Sequence, residues 1–145
     1  MSEPMPPCQL AWHVTSRCNL NCKHCLRRTP EHDRQRDISL DDCRKVLRSF
    51  ADFVTEGGRR AEISFDGRNP LSRPDFLELL ADAHALKEQG VIERISITGN
   101  PEQLTPEVVA TLRQSEVEVY NLSLDGLERA NDELRGRGNF QALWQ

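Results

Sequence analysis

Three closely spaced cysteines are the residues whose type and spacing point most directly to chemistry. Cys18, Cys22 and Cys25 follow the pattern C-x3-C-x2-C within eight residues. Thiolate sulfur is a soft ligand that selects zinc, copper(I) or iron–sulfur clusters. An ordinary iron–sulfur cluster takes four cysteines, so three would leave one iron open to bind a small molecule directly. We therefore expect the triplet to hold a metal centre.

Other roles for these thiols stay open at this point. A structural zinc site requires four ligands, typically as two spaced pairs, and the candidates for the fourth are Cys8, His24 and His32. A redox pair could use the C-x2-C spacing of Cys22 and Cys25, although it leaves the first cysteine of the triplet without a role. The thiols could also be unligated. Because the sequence has no second C-x2-C pair, its pattern favours the cluster over zinc.

Composition and charge narrow the class of protein. The chain has 145 residues, 37% of them hydrophobic and 29% charged, which is ordinary for one compact globular domain. Its formal net charge of -4 gives no electrostatic reason to expect a nucleic acid partner. No apolar run is long enough to cross a bilayer, and the polar start lacks the pattern of a signal peptide. We expect a cytoplasmic protein without a membrane partner, in which cysteines are ligands or free thiols rather than disulfides.

Apolar residues alternate with polar ones in four short runs, which predicts four β-strands. The runs lie at residues 10–14, 63–65, 95–97 and 117–124. Within the last run the alternation slips at Tyr120 and Asn121, which predicts a β-bulge.

Apolar residues at helical spacing separate these strands. The first helix is predicted to begin at an N-cap, Ser39, with Asp42 three residues later, and to end at Gly57. Its apolar stripe includes Cys43, which we expect to be a buried hydrophobic residue. The other predicted helix signals are an N-cap at Ser72 with Pro74 in the first turn, a stop at Gly90, a start at Thr105 and Pro106, and a last start at Asn139.

Alternating strands and helices indicate an α/β fold with a parallel sheet and right-handed crossovers. About four strand–helix units could form an open doubly wound sheet or half of a barrel. In either arrangement ligands bind beyond the carboxyl ends of the strands. The cysteine loop, residues 66–70, residues 98–100 and Asp125 all follow predicted strands. We therefore expect the functional site at that edge of the sheet.

These features together resemble the radical S-adenosylmethionine (SAM) superfamily. The cysteine spacing after a first strand, with the ring residue His24 before the last cysteine, is the hallmark of that family. Three later segments resemble the family's Gly-Gly-Glu-Pro segment, the end of its third strand, and its fourth strand with the following loop. They are residues 65–76, residues 97–100, and residues 122–126 with Arg135 and Gly136. The resemblance is strongest to the peptide- and protein-modifying branch, the SPASM-type maturases.

The resemblance implies a fold and an activity. Residues 1–145 would be the N-terminal portion of a radical SAM core domain, a partial TIM-type barrel of about four units. The cofactors would be a [4Fe–4S] cluster and SAM, which is cleaved to a 5'-deoxyadenosyl radical. The implied partners are an electron donor and a peptide or protein substrate. An incomplete barrel would also leave an open strand edge through which another chain could associate.

The resemblance also implies roles for particular residues, and assigns no further catalytic side chain. Cys18, Cys22 and Cys25 would be the metal ligands. The cofactor-binding residues would be His24 near the adenine, Gly67, Arg68, Asn69 and Pro70 at the SAM amino group, Ser123 and Asp125 at the ribose or carboxylate, and Arg135 at the carboxylate.

The Gly-Gly-Glu-Pro segment departs from the family pattern at two positions. Arg68 replaces the second glycine, and Asn69 replaces the glutamate. Arginine adds bulk where a glycine backbone can approach a ligand closely. These departures favour one alternative, a degenerate radical SAM-like module that binds a partner without catalysis. A zinc-stabilised α/β domain is the other alternative.

Overall fold

A computed structural model describes residues 6–26 and 36–145 of the chain. Within these residues one parallel sheet of four strands runs in the order β1-β2-β3-β4. The strands are β1 at Cys8–Thr15, β2 at Ala61–Gly67, β3 at Arg94–Thr98 and β4 at Val119–Asn121. All four strands were predicted from the alternation of apolar residues, and their parallel pairing confirms the predicted α/β class.

Helices occupy the connections between the strands. The described residues contain five α-helices and two short 3-10 helices, at Pro70–Ser72 and Pro101–Gln103. The α-helices are α1 at Leu40–Glu56, α2 at Phe76–Glu88, α3 at Pro106–Gln114, α4 at Glu128–Arg135 and α5 at Asn139–Ala142. Among these described helices, none is long and apolar enough to cross a membrane.

The hydrophobic core lies between one face of the sheet and helices α1 to α3. Ile63 and Phe65 of β2 are fully buried, as are Ile95 and Ile97 of β3. The same cluster includes buried residues of the helices, namely Cys43, Leu47 and Val54 of α1, Phe76, Leu79, Leu80 and Ala83 of α2, and Leu112 of α3. Cys43 is therefore the buried hydrophobic residue that the helical pattern predicted.

Two predicted helix starts are confirmed. The Ser39 hydroxyl accepts a hydrogen bond from the backbone N–H of Asp42, and this bond caps α1. Thr105 caps α3 in the same way, with Pro106 in the first helical position, where its missing N–H costs nothing.

The predicted start of α2 at Ser72 is wrong. The helix begins at Phe76 after an N-cap at Asp75. Ser72 instead belongs to the 3-10 helix, and its hydroxyl donates to Gln103 Oε1 at 2.9 Å. The intervening Arg73 has an extended backbone, so the chain turns once more before the helix starts.

The fourth strand was predicted too long. It spans three residues, and Leu122 and Leu124 beyond it are exposed. The predicted bulge at Tyr120 and Asn121 is also wrong, because both residues keep a continuous register with β3. The irregularity in the sheet lies between β1 and β2, near Thr15 and the end of β2.

Helix α4 was not predicted. It contains almost no apolar residues, and its buried residue is the polar Asn131. A search for apolar periodicity cannot detect such a helix. The predicted start at Asn139 is correct, although it begins the fifth described α-helix rather than the fourth.

Candidate metal centre and cofactor site

A carboxylate anchors the start of the cysteine loop where it leaves β1. Asp37 accepts hydrogen bonds from Thr15 Oγ1 at 2.9 Å, the Ser16 backbone N–H at 3.0 Å and Arg17 Nε at 3.1 Å. Further along the loop, the Lys23 backbone N–H donates to the carbonyl oxygen of Leu134 in α4 at 2.8 Å. The loop is therefore held from both sides, at the carboxyl edge of the sheet.

One cavity of about 190 Å³ at this edge brings the cysteine triplet together with the ends of distant strands. Its walls come from the cysteine loop, the ends of β2 and β3, the segment after β4, and α4. Of the predicted site residues, those that line it are the three cysteines, His24, Gly67, Arg68, Ser123 and Arg135. Segments separated by more than a hundred residues thus meet around the predicted metal ligands.

The three thiols are close enough to influence one another. Burial raises the pKa of the Cys22 thiol, the nearby Arg135 guanidinium lowers it, and repulsion from Cys18 and Cys25 raises it again. Because a thiol must lose its proton before it binds a metal, metal loading through Cys22 is favoured by higher pH and by the charge of Arg135.

The described side chains do not surround a single ion. Within residues 6–26 and 36–145, no group of three or more Cys, His, Asp or Glu side chains converges on one metal position. A structural zinc ion requires four ligands around one centre, and the described residues do not form that arrangement. His32, one candidate for the fourth zinc ligand, lies outside the described residues. The three cysteines line one cavity, and their role as cluster ligands stays a prediction.

Two glycines bring backbone close to the cavity. Gly67 has a φ of 127°, and a Cβ at this position would lie 2.7 Å from the carbonyl oxygen of Thr15. Gly99 has no positive φ, but a Cβ there would overlap the Tyr120 hydroxyl and lie 2.8 Å from Asn69 Oδ1. Both positions therefore require glycine, and both line the cavity.

Asp125 contacts two other predicted cofactor-binding residues. Asp125 Oδ2 lies 2.5 Å from Arg135 Nε and 3.4 Å from His24 Nε2. The Asp125 backbone N–H donates to Asn131 Oδ1 at 3.1 Å, which ties the loop after β4 to α4. The Arg135 side chain is 13% exposed. Asp125 thus fixes the guanidinium at the cavity wall, where an arginine can bind a carboxylate.

Arg68 and Asn69, which depart from the family pattern, lie in different surroundings. Arg68 lines the cavity, and its Nη1 donates to the carbonyl oxygen of Ser16 at 3.2 Å. Asn69 is fully buried, outside the cavity lining, and Pro70 beside it is also buried. The Asn69 side chain donates to Asn19 Oδ1 and Gln103 Oε1. Asn69 therefore holds neighbouring loops together, while its predicted contact with SAM stays a prediction.

Sequence reasoning did not assign roles to several polar residues at this site. Asn19 and Asn100 join the cysteine loop to the segment after β3 by a hydrogen bond of 2.9 Å from Asn100 Nδ2 to Asn19 Oδ1. Thr98 and Gly99 also line the cavity. The available signal was their position, because residues 98–100 directly follow a predicted strand.

Comparisons with known proteins agree with this geometry. The radical SAM superfamily matches residues 12–145 of the chain. The mycofactocin maturase MftC of Mycolicibacterium smegmatis is 32% identical over 137 residues, which cover 92% of this chain and 32% of the relative. The Fe-coproporphyrin III synthase of Methanosarcina barkeri is 30% identical over 134 residues, which cover 92% of this chain and 31% of the relative. The chain thus spans about a third of the length of these relatives.

A solved structure has the same fold. SuiB of Streptococcus suis bound to the precursor peptide SuiA has a TM-score of 0.69 and 25% sequence identity, over 93% of this chain and 28% of SuiB. SuiB bound to S-adenosylmethionine has a TM-score of 0.67, over 93% of this chain and 29% of SuiB. The likeness confirms the predicted fold class, strand–helix repeats of a partial TIM-type barrel. Since the family match extends over nearly the whole chain, this protein belongs to the radical SAM superfamily, whose members use a [4Fe–4S] cluster and S-adenosylmethionine.

Proposed function

We propose that this chain is the N-terminal portion of a radical SAM core, in which Cys18, Cys22 and Cys25 hold a [4Fe–4S] cluster. The observation that carries the proposal is the cavity in which these three cysteines meet strand ends and α4. Three thiolates leave one iron without a protein ligand, and that iron is the position for SAM. When bound, the cluster and SAM supply a 5'-deoxyadenosyl radical that removes a hydrogen atom from a substrate.

The residues around the cavity would position SAM. Arg135, held by Asp125, presents a positive charge that suits the SAM carboxylate. Gly67 also lines the cavity, where its backbone oxygen would face the SAM amino group. We propose that Ser123, which lines the cavity, hydrogen-bonds the ribose or carboxylate, and that the backbone near His24 lies by the adenine.

A peptide or protein substrate is the finer part of the proposal. It is supported by the likeness to SuiB, whose structure was solved with a precursor peptide, and by the similarity to the maturase MftC. The similarity to Fe-coproporphyrin III synthase shows that related sequences act in other chemistry. We further propose an electron donor as partner and a reducing, cytoplasmic location, in keeping with a cluster held by free thiols.

A second candidate is a module that binds a cluster or a partner without cleaving SAM. It is favoured by Arg68 and Asn69, which replace a glycine and a glutamate of the family pattern. The Arg68 guanidinium lies at the cavity, and the Asn69 amide is used within the protein. The two candidates differ in one measurable product, 5'-deoxyadenosine.

Anaerobic reconstitution with iron and sulfide tests both candidates. We expect about four irons per chain in the wild type and loss of the cluster in Cys22→Ala. Cys43→Ala is the matched control, because this cysteine is fully buried in the core and outside the cavity. Equal iron content in the two variants would reject the ligand assignment.

The product assay follows on the loaded chain, with SAM and dithionite. Release of 5'-deoxyadenosine would support the radical SAM activity. A loaded cluster that leaves SAM intact would support the non-catalytic module instead.

A further inference from the structure

The sulfur of Cys18 has a side-chain hydrogen-bond donor from a different part of the fold. Asn100 Nδ2 donates to Cys18 Sγ at 3.2 Å across 82 positions of sequence. The same amide nitrogen donates to Asn19 Oδ1 at 2.9 Å. Both N–H groups of the Asn100 amide are therefore in use, one of them on a proposed cluster ligand.

A network of side-chain hydrogen bonds fixes the direction of this amide. Asn19 Oδ1 accepts a second hydrogen bond, from Asn69 Nδ2 at 2.8 Å, and Asn19 Nδ2 donates to Glu102 at 3.3 Å. Because Asn19 presents its oxygen to Asn100, the Asn100 amide must present its nitrogen, and the same nitrogen then reaches the sulfur. Asn100 is 7% exposed and Asn69 is fully buried. The Asn100 amide is therefore held beside Cys18 from the buried side, while Asn19 itself is exposed.

The main chain of Asn100 is also held in place. Its carbonyl oxygen accepts a hydrogen bond from the Tyr120 hydroxyl at 3.4 Å. Burial, together with the charge of Glu102, keeps the pKa of Tyr120 above its ordinary value, so the phenol is protonated and can donate. Asn100, the donor to Cys18, is thus also hydrogen-bonded through its main chain to β4.

The three cysteines are not equivalent in this respect. Besides Asn100, the backbone N–H of Leu20 points at Cys18 Sγ, at 3.4 Å. Among the described residues, the side-chain hydrogen bond to a sulfur of the triplet ends on Cys18. An N–H directed at a cluster sulfur stabilises negative charge on it, and such hydrogen bonds are among the factors that set cluster potentials.

We propose that Asn100 is a positioning residue that fixes Cys18 as a cluster ligand and raises the reduction potential of the cluster. The inference rests on the proposed function, since it requires that the cluster binds at Cys18. Reduction adds negative charge that is shared by the thiolate sulfurs. A donor at 3.2 Å favours this reduced state more than the oxidised state, so its removal makes the cluster harder to reduce.

A redox titration of the reconstituted full chain, followed by the EPR signal of the reduced cluster, tests the proposal. For Asn100→Ala we expect the equilibrium constant for reduction to fall at least tenfold, which is a shift of about 59 mV to more negative potential for one electron. Asn100→Asp keeps the side-chain size but places a carboxylate near the sulfur, so its shift should be larger. Asn121→Ala is the matched control, because Asn121 is another asparagine at the carboxyl edge of the sheet but is exposed and donates to Thr98. Its potential should equal that of the wild type.

Iron content, measured first, separates the possible failures. A wild-type chain that takes up no cluster would refute the proposed function and this inference with it. A loaded wild type whose potential is unchanged in both Asn100 variants would overturn the inference alone. If the variants load less iron but the loaded fraction keeps the wild-type potential, Asn100 is purely structural and the inference is also overturned.

Discussion

Gly99→Ala should destabilise the chain through a steric overlap at the cavity wall. Gly99 has no positive φ, so an alanine backbone fits there without strain. However, the added Cβ would overlap the Tyr120 hydroxyl and lie 2.8 Å from Asn69 Oδ1. Since real Cβ contacts are essentially never under 3.0 Å, the Tyr120 hydroxyl must move out of the way. The substitution therefore measures how tightly β3, β4 and the segment containing Asn69 pack.

The expected magnitude combines two opposing effects. Overpacking a filled site costs about 1–3 kcal/mol, and this overlap with two side chains belongs at the upper end. Replacing glycine by alanine at a compatible backbone conformation stabilises by about 0.4–1 kcal/mol, because the unfolded chain loses freedom. The net expectation is a loss of about 2 kcal/mol in the free energy of unfolding, measured by urea denaturation of the chain without metal.

A second substitution identifies the cause of that loss. Tyr120→Phe removes the nearest overlapping atom and leaves the ring carbon at 2.9 Å from the new Cβ. In the Tyr120→Phe background, Gly99→Ala should therefore cost about 1 kcal/mol less, a coupling within the usual range for neighbouring residues. Equal costs in the two backgrounds, or an alanine variant as stable as the wild type, would refute the packing described here.

Three further predictions concern charged groups and thiols. Arg73→Ala should lower the free energy of unfolding by about 3 kcal/mol in urea denaturation. The Arg73 side chain is only 2% exposed, and its guanidinium donates to two backbone carbonyls. A loss of stability below the error of the measurement would contradict this prediction. Burial raises the pKa of Cys22 and Arg135 lowers it. The rate of alkylation of Cys22 in the metal-free chain should therefore rise with pH through an inflection, and Arg135→Gln should move that inflection to higher pH. Mass spectrometry of the labelled peptide measures the rate, and a shift of the inflection to lower pH would contradict the prediction. Two backbone N–H groups at the start of α5 donate to Asp132 and lower its pKa. Because the pKa of Asp132 is lower in the folded state, its charge stabilises the fold above the ordinary aspartate pKa of about 3.9, and this stabilisation is lost as pH falls. The difference in the free energy of unfolding between wild type and Asp132→Asn should thus shrink from pH 7 to pH 3. A difference that stays constant over this range would exclude this role.

Elements that bury apolar residues at regular spacing could be predicted from the sequence. Ile63 and Phe65 of β2 alternate with polar residues and are fully buried, and Ile95 and Ile97 of β3 follow the same rule. Caps were predictable where a short polar side chain directly precedes an apolar helix, as at Ser39. In each case the contact involves residues close together in the sequence or on one face of a strand or helix, so a local sequence pattern is enough to predict it.

Features that depend on polar contacts between distant segments could not be predicted. Helix α4 has no apolar stripe and is joined to the rest through buried amides, among them Asn131, which donates to Asn139 Oδ1 at 2.8 Å. Asn100 and Cys18 are 82 positions apart, and no sequence pattern around either residue indicates that the two are in contact. The sequence therefore predicted the edge of the sheet where the three cysteines lie. It did not predict the amide network that holds them, because hydrogen bonds between side chains have no sequence period.

EPR spectroscopy of the reduced, reconstituted chain with and without SAM tests the central claim most directly. If Cys18, Cys22 and Cys25 hold three irons of a [4Fe–4S] cluster and leave the fourth open, SAM must change the signal by binding to that iron. We predict a reduced-cluster signal whose g-values shift when SAM is added. A signal that SAM leaves unchanged, or a chain that binds one zinc ion and no cluster, would contradict the account.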